Sequence, residues 1–301
     1  MRRGKAAFRH TCALRRGSCD ETRPLPHLPH PQPFAGAPTG DPLELAGICV
    51  PYDSRPPVAP IAGAAIRHEV LELEAADGNR LAAFSALPDQ PRDTGVVILP
   101  DVRGLFRFYE ELALRLAERG IAAIAIDYFG RTAGVAERDE DFSYMEHVAQ
   151  TTEAGVQADV DAGMRFLRSP HGGECRSVFT VGFCFGGRHS WFTAARDDLA
   201  GAIGFYGMPG IGRRDGAPGP AHRADELKAP ILALMGGADE AITAEDVAAF
   251  DQALEAAGVE HEVVTYPGAP HSFFDRRFEE HTDASADAWE RVVAFVEQHA
   301  G

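Results

Sequence analysis

The chain has 301 residues, 45% hydrophobic and 25% charged, with a formal net charge of -16. That balance fits one sizeable core and argues against nucleic acid, which needs a basic face; no apolar run of about 18 residues is present to cross a membrane. Five cysteines, Cys12, Cys19, Cys49, Cys175 and Cys184, form no CxxC pair and no Cys/His ligand spacing, so neither a disulfide framework nor a structural metal is expected, and a reducing, cytoplasmic setting is.

Residues 1–40 hold seven Arg or Lys against only Asp20 and Glu21, and "RPLPHLPHPQPFAGAPTGDP" is rich in Pro and Gly without a hydrophobic period. Residues 1–60 therefore read as a disordered Arg/Pro-rich extension that can be removed. It lacks the roughly 7–15-residue apolar core of a secretory signal. Residues 61–301 read as one domain.

From Ile66 the pattern changes. "IRHEVLELEA" and "RLAAFSAL" alternate with period two and predict a leading antiparallel pair. "GVVILPD" and "IAAIAIDYF" are short continuous apolar runs, as expected of strands buried on both faces. Between them "FYEELALRLAERG" sets Leu112 and Leu116 one turn apart and stops at Gly120, a helix-ending glycine. "TEAGVQADVDAGMRFLR" predicts a longer helix with Val156, Val160, Met164 and Leu167 on one stripe. "SVFTVGF", "GAIGFYG", "PILALMGG" and "HEVVTY" supply four more strands. "TAEDVAAFDQALEAAG" opens on a Thr-x-x-Asp cap and closes at Gly258, and a last helix carries Trp289, Val292, Val293 and Val296 inward. This alternation is that of an α/β fold, a mostly parallel doubly wound sheet with helices on both faces, in a single domain.

In such sheets a site forms outside the carboxyl ends of the strands. Cys184 follows "SVFTVGF" and is flanked as Gly182-x-Cys184-x-Gly186, the cysteine version of a nucleophile elbow. A strained turn would lift the thiol into the cleft, and the helix beginning at Phe185 would favour a thiolate through its N-terminal dipole. The Phe185 N–H would point where an oxyanion forms. Asp239 follows the strand in "LMGGADEAI", and His271 follows the last strand in "YPGAPHSFF". Nucleophile, acid and histidine thus come in the chain order of α/β-hydrolases: a base to activate the thiol, and a carboxylate to orient the base. In "LPDVRGLF", Val102 is placed to give a second oxyanion N–H, while Asp101 reads equally as a turn cap or a functional acid.

"GFCFGG", "GGADEAI", "PGAPHSFF" and "LPDVRGLF", with "IDYFGR", resemble the dienelactone hydrolase family (carboxymethylenebutenolidases) over about residues 62–301. The resemblance implies an α/β-hydrolase fold, a Cys184–His271–Asp239 triad, no cofactor, and hydrolysis of a small lactone or ester through a covalent thioester. It implies that Asp101 contacts the resting thiol and helps activate it, although the family carries Glu there. It implies that Arg131, in "FGRTAG", holds a substrate carboxylate with a second arginine four residues beyond the histidine. That position is Asp275 here, with Arg276 next to it, and Arg103 stands where the family is usually apolar, so Arg131, Arg276 and Arg103 are candidate anion contacts. The partner expected is a small-molecule ester or lactone, met by a monomer or small homo-oligomer. Two other readings stay open. One is a hydrolase-fold ligand-binding protein without turnover, and the other is a thiol redox sensor built on Cys184.

Overall fold

The continuous apolar runs form the middle of one eight-stranded sheet. The computed structural model describes residues 52–90, 92–212 and 216–301; most of the expected extension lies outside them. The strands are β1 (Ile66–Glu74), β2 (Arg80–Pro88), β3 (Thr94–Leu99), β4 (Ala122–Ile126), β5 (Ser177–Phe183), β6 (Gly201–Phe205), β7 (Ile231–Gly236) and β8 (His261–Tyr266), in the spatial order β1-β2-β4-β3-β5-β6-β7-β8. The first two pair antiparallel, as their alternation predicts, and β2 joins β4 antiparallel. From β4 to β8 all pairs are parallel. Every residue of β3, β4, β6 and β7 is buried, whereas no residue of β1 is, because β1 is an edge and the others are covered on both faces.

The helices that cover them are α1 (Arg107–Glu118), α4 (Glu153–Arg168), α5 (Phe185–Thr193), α6 (Ala244–Ala257) and α7 (Thr282–His299). One face carries α1 and α7, joined where the Arg119 guanidinium sits 5.8 Å from the Trp289 ring. The other carries α4, α5 and α6, with Trp191 of α5 packed 4.8 Å from Phe250 of α6 and Gln157 of α4 donating to the His189 carbonyl of α5. The ends follow their sequence signals. Thr243 and Asp246 close a reciprocal capping box on α6, which ends at left-handed Gly258. Gly120 has φ 83° after α1. The short helices α2 (Gly130–Ala133) and α3 (Tyr144–Val148) and a 3-10 segment at Pro220–Glu226 are too brief to show a hydrophobic period.

Tyr52 falls within the expected extension of residues 1–60 and packs on residues of the turn after β3. Its ring meets Phe106 edge-on at 5.0 Å, and the Arg103 guanidinium lies 5.6 Å from its centre. A truncation that spares this packing has to stop before Tyr52.

The side chains of β5 alternate between the two helix layers. The Thr180 hydroxyl is 2.8 Å from the Ser190 hydroxyl in α5, while Phe183 packs edge-on against Phe108 of α1. Gly182 shares the Thr180 face, where α5 begins. A Cβ on Gly182 would stand 2.0 Å from the Gly186 carbonyl oxygen, and one on Gly186 would stand 2.2 Å from the Leu99 carbonyl oxygen. Both clashes are with backbone, which cannot swing aside as a side chain can. Gly182→Ala should therefore lower stability by about 2 kcal/mol or more, read as a drop in melting temperature; an unchanged melting temperature would contradict this close crossing.

Candidate active site

Cys184 occupies the single residue between β5 and α5 and has φ 53° and ψ -110°. Outside glycine such backbone costs on the order of 1–3 kcal/mol and persists only where its surroundings dictate it. Three contacts do so. The Cys184 N–H donates to the Phe205 carbonyl at 3.0 Å, the Arg188 N–H returns to the Cys184 carbonyl, and the two glycines let β5 and α5 meet. The thiol is thereby held at the carboxyl end of the sheet, half-buried. Phe185 is the first residue of α5, so its N–H belongs to the turn that a helix cannot satisfy internally. Val102, buried, lies in the turn closed by the Gly104 N–H on the Asp101 carbonyl.

Asp239 and His271 come together as their order in the chain predicts. His271 Nδ1 is 2.7 Å from Asp239 Oδ2. The other carboxylate oxygen accepts the N–H groups of Ala241 at 2.8 Å and Ile242 at 3.1 Å. The loop that follows β7 thus fixes the acid, and the acid fixes the ring. Burial pulls the His271 pKa down, but the Cys184 charge and the hydrogen bonds to Asp239 and Cys184 outweigh it and raise the pKa to about 10. The imidazole, hydrogen-bonded to both Asp239 and Cys184, is thereby favoured in its protonated form. Because the folded value is raised, His271 contributes stability that is fully present below its unfolded pKa of 6.5 and is lost as pH rises through about 10.

An aromatic layer beneath these groups sets their relative positions. Phe183, which precedes Cys184, stacks on Phe205 at 4.7 Å and on Phe274 of the histidine loop at 6.0 Å. Tyr206 follows β6 with φ 37° and lays its buried ring 5.0 Å from that of His271. The Ser285 hydroxyl of α7 donates to the Phe273 carbonyl at 3.0 Å and anchors the same loop. Sequence reasoning missed Tyr206. Its signal is faint: an aromatic at a strand end one residue before a glycine.

Asp101 lies buried, and its carboxylate is tied to two arginines. Arg103 Nη2 and Nε reach Asp101 Oδ2 at 2.8 and 3.0 Å, the Arg103 N–H donates to Oδ1 at 2.8 Å, and Arg276 Nη2 reaches Oδ2 at 3.2 Å. Burial pushes the Asp101 pKa up, yet Arg103 and Arg276 bring it down to about 2, so the group is a fixed anion. Against the effect of burial, the Asp101 and Asp275 charges, and after them Cys184, raise the Arg276 pKa. Of the three arginines the sequence offered for an anion, Arg103 and Arg276 converge here. Arg131 does not: it pairs with Asp159 of α4 at 2.8 Å and with Asp77 of the β1–β2 turn, and donates to the Gly155 carbonyl.

Cys175 is buried at the opposite end of β5, its thiol pushed up to about 11 by burial. The seven-residue strand between them spans roughly 23 Å at about 3.3 Å per residue, too far for Cys175 to pair with Cys184. A cleft of about 440 Å³ opens beside the loop after β6, lined in part by Met208, Ile211, His222 and Asp246, and contains no residue of the Cys184, Asp239 and His271 group.

Removing the carboxylate with Asp239→Asn should bring the His271 pKa down from about 10 toward 6.5 and slow alkylation of Cys184 by iodoacetamide. An NMR titration of the His271 ring together with the alkylation rate checks this; no change in either would mean the three groups are not coupled.

Comparison with known proteins agrees with this architecture. The model of the Dienelactone hydrolase family matches residues 81–300. The protein named "Putative carboxymethylenebutenolidase" in Yersinia pestis is 32% identical over 230 residues, covering 74% of this chain and 85% of its own. The crystal structure named "Putative Dienelactone Hydrolase" from Klebsiella pneumoniae superposes with a TM-score of 0.69 at 29% identity, covering 78% of this chain and 99% of that one. A dienelactone hydrolase-like promiscuous phosphotriesterase from metagenomic libraries shares the fold, with a TM-score of 0.66 at 22% identity over 79% of this chain and all of that one. The chain belongs to the dienelactone hydrolase family, carboxymethylenebutenolidase-like carboxylic ester hydrolases of the α/β-hydrolase fold.

Proposed function

We propose that this hydrolase cleaves a small ester or lactone through a covalent thioester on Cys184. The observation that carries the reading is the strained Cys184 between Gly182 and Gly186, coupled to a His271 that Asp239 holds at 2.7 Å. The proton rests on His271, as its raised pKa of about 10 favours, and the sulfur of Cys184 attacks the acyl carbon as a thiolate. The oxyanion that forms accepts the N–H groups of Phe185 and Val102. Collapse breaks the acyl–oxygen bond, and the imidazolium gives its proton to the departing alkoxide. In the second half His271 takes a proton from water, hydroxide adds to the thioester, and the thiolate leaves with a carboxylic acid as product. A lactone gives acid and alcohol in one molecule. The scheme uses side chains, two backbone N–H groups and water.

The structure bears on the part that the resemblance assigned to Asp101. A carboxylate tied to Arg103 and Arg276 and held near a pKa of about 2 is too weak a base to take a thiol proton. In this reading Asp101 is the counter-ion that positions the two arginines, and activation of Cys184 falls to His271. The anion-binding role passes from Arg131 to Arg276, with Arg103 behind it. A free nucleophilic thiol suits the reducing cytoplasm, and a monomer or small homo-oligomer without nucleic acid suffices for a reaction on a small molecule. No helix among the described residues is long and apolar enough to cross a membrane.

Cys184→Ala should lower kcat on a p-nitrophenyl ester by at least about a thousandfold while leaving the melting temperature near that of the wild type. Full turnover in that variant would end the reading. Cys184→Ser should be poor, because the group facing position 184 is an imidazolium suited to a thiolate.

A further inference from the structure

The same loop that supplies His271 and Arg276 buries a second carboxyl, Asp275, at 2% exposure. It is placed quite differently from Asp101. Asp101 accepts from two guanidinium groups and a backbone N–H. Asp275 accepts the Arg276 N–H on Oδ1 at 2.7 Å, while its buried Oδ2 has no guanidinium or backbone donor and only the Tyr206 hydroxyl to interact with, at the margin of a hydrogen bond. An ionised carboxylate in such a place lacks the donors that would replace water, whereas its protonated form asks for fewer.

The groups around Asp275 come from several elements. Arg276 adjoins it in the loop, Asp101 and Arg103 face it from the turn after β3, Tyr109 faces it from α1, and Tyr206 from the end of β6. With Asp275 ionised, its charge and that of Asp101 cancel Arg103 and Arg276. With Asp275 protonated, one positive charge remains beside Cys184. The buried Nε of Arg276 is without a partner, so one polar group stands ready for a polar part of a substrate.

The geometry points to Asp275 as the residue that sets specificity by charge: protonated, it leaves the Arg276 side of the site positive and selective for esters or lactones bearing a carboxylate, and ionised, it cancels that preference. The neighbouring titrations leave this window clear. Asp101 stays anionic down to about 2 and His271 stays cationic up to about 10. Burial, then the Asp101 charge, raise the Asp275 pKa, against the pull of Arg276 and Arg103. Its charge change is therefore shifted upward from the ordinary carboxylate range. Preference for anionic substrates is highest at acid pH and declines as pH rises through that shifted value.

The inference deepens the hydrolase reading and rests on it for its consequence in turnover, so its test reads local charge without turnover. Cys184 is alkylated with iodoacetate, an anion, and with iodoacetamide, its neutral analogue, and modification at Cys184 is followed by peptide mass spectrometry. The rate ratio cancels the thiolate fraction common to both reagents. In the wild type the ratio should fall about fivefold from mildly acidic to alkaline pH, the scale of one unit charge acting over several ångströms at a partly wet site. In Asp275→Asn it should stay at its high, acid-side value. A ratio independent of pH in the wild type, or an equal fall in the variant, would overturn the inference while leaving the hydrolase reading in place. Should Asp275→Asn not fold, the wild-type profile still decides, a flat ratio counting against Asp275.

Discussion

The site depends on one close backbone crossing. β5 and α5 meet so tightly at Gly182 and Gly186 that a single methyl on either would stand about 2 Å from a carbonyl oxygen. That contact forces the one residue between them into φ 53°. Strain of this kind is a structural cost that only the surrounding packing can hold in place, and here the packing is the buried sheet centre and its aromatic layer. Stacking of Phe183 on Phe205 and on Phe274, each pair worth about 0.5–1.5 kcal/mol beyond its buried area, ties the elbow to the loop that brings His271. The same interactions that build the core therefore fix where Cys184 and His271 stand relative to each other.

Electrostatics then divides the site into two parts. In the proposed reading Cys184, His271 and Asp239 form a proton-handling line, and the Asp239 carboxylate is held by backbone N–H groups. Asp101, Arg103, Arg276 and Asp275 form a charge-setting cluster whose Arg103 guanidinium is covered by Phe106 at 4.2 Å. Burying charged groups together is favourable only when they compensate one another. That is why a shorter acid at Asp101 and an extra cation at Arg103 belong to one arrangement: the arginine reaches back to the carboxylate from two residues away. Arg131, the other cation expected at the site, is drawn instead to the fully buried carboxylate of Asp159 and to Asp77.

Much of this was legible in the sequence, for reasons that are local. Strands buried on both faces have to be continuous apolar runs, which marks β3 to β7. Helix ends carry their own chemistry, which places α6 between Thr243 and Gly258. An elbow needs small residues on each side of its nucleophile, and strand order places the acid and the histidine after it. What escaped depends on distant partners. Nothing near Arg131 announces Asp77, and nothing near Tyr52 announces Phe106 and Arg103. The positive φ of Tyr206 is imposed by its surroundings. Asp275 is readable as an acid where the family has a cation, but its burial without a guanidinium on its carboxylate emerges only once the loop is folded.

The central claim is that Cys184 itself carries the acyl group. The most direct test is to mix the protein with a slowly hydrolysed p-nitrophenyl ester, quench within the first turnover, and map the added mass. The account predicts a burst of phenolate matched by a thioester on the peptide containing Cys184, which decays as product appears. Steady hydrolysis with no acyl group on Cys184, or with the acyl group on another residue, would contradict it.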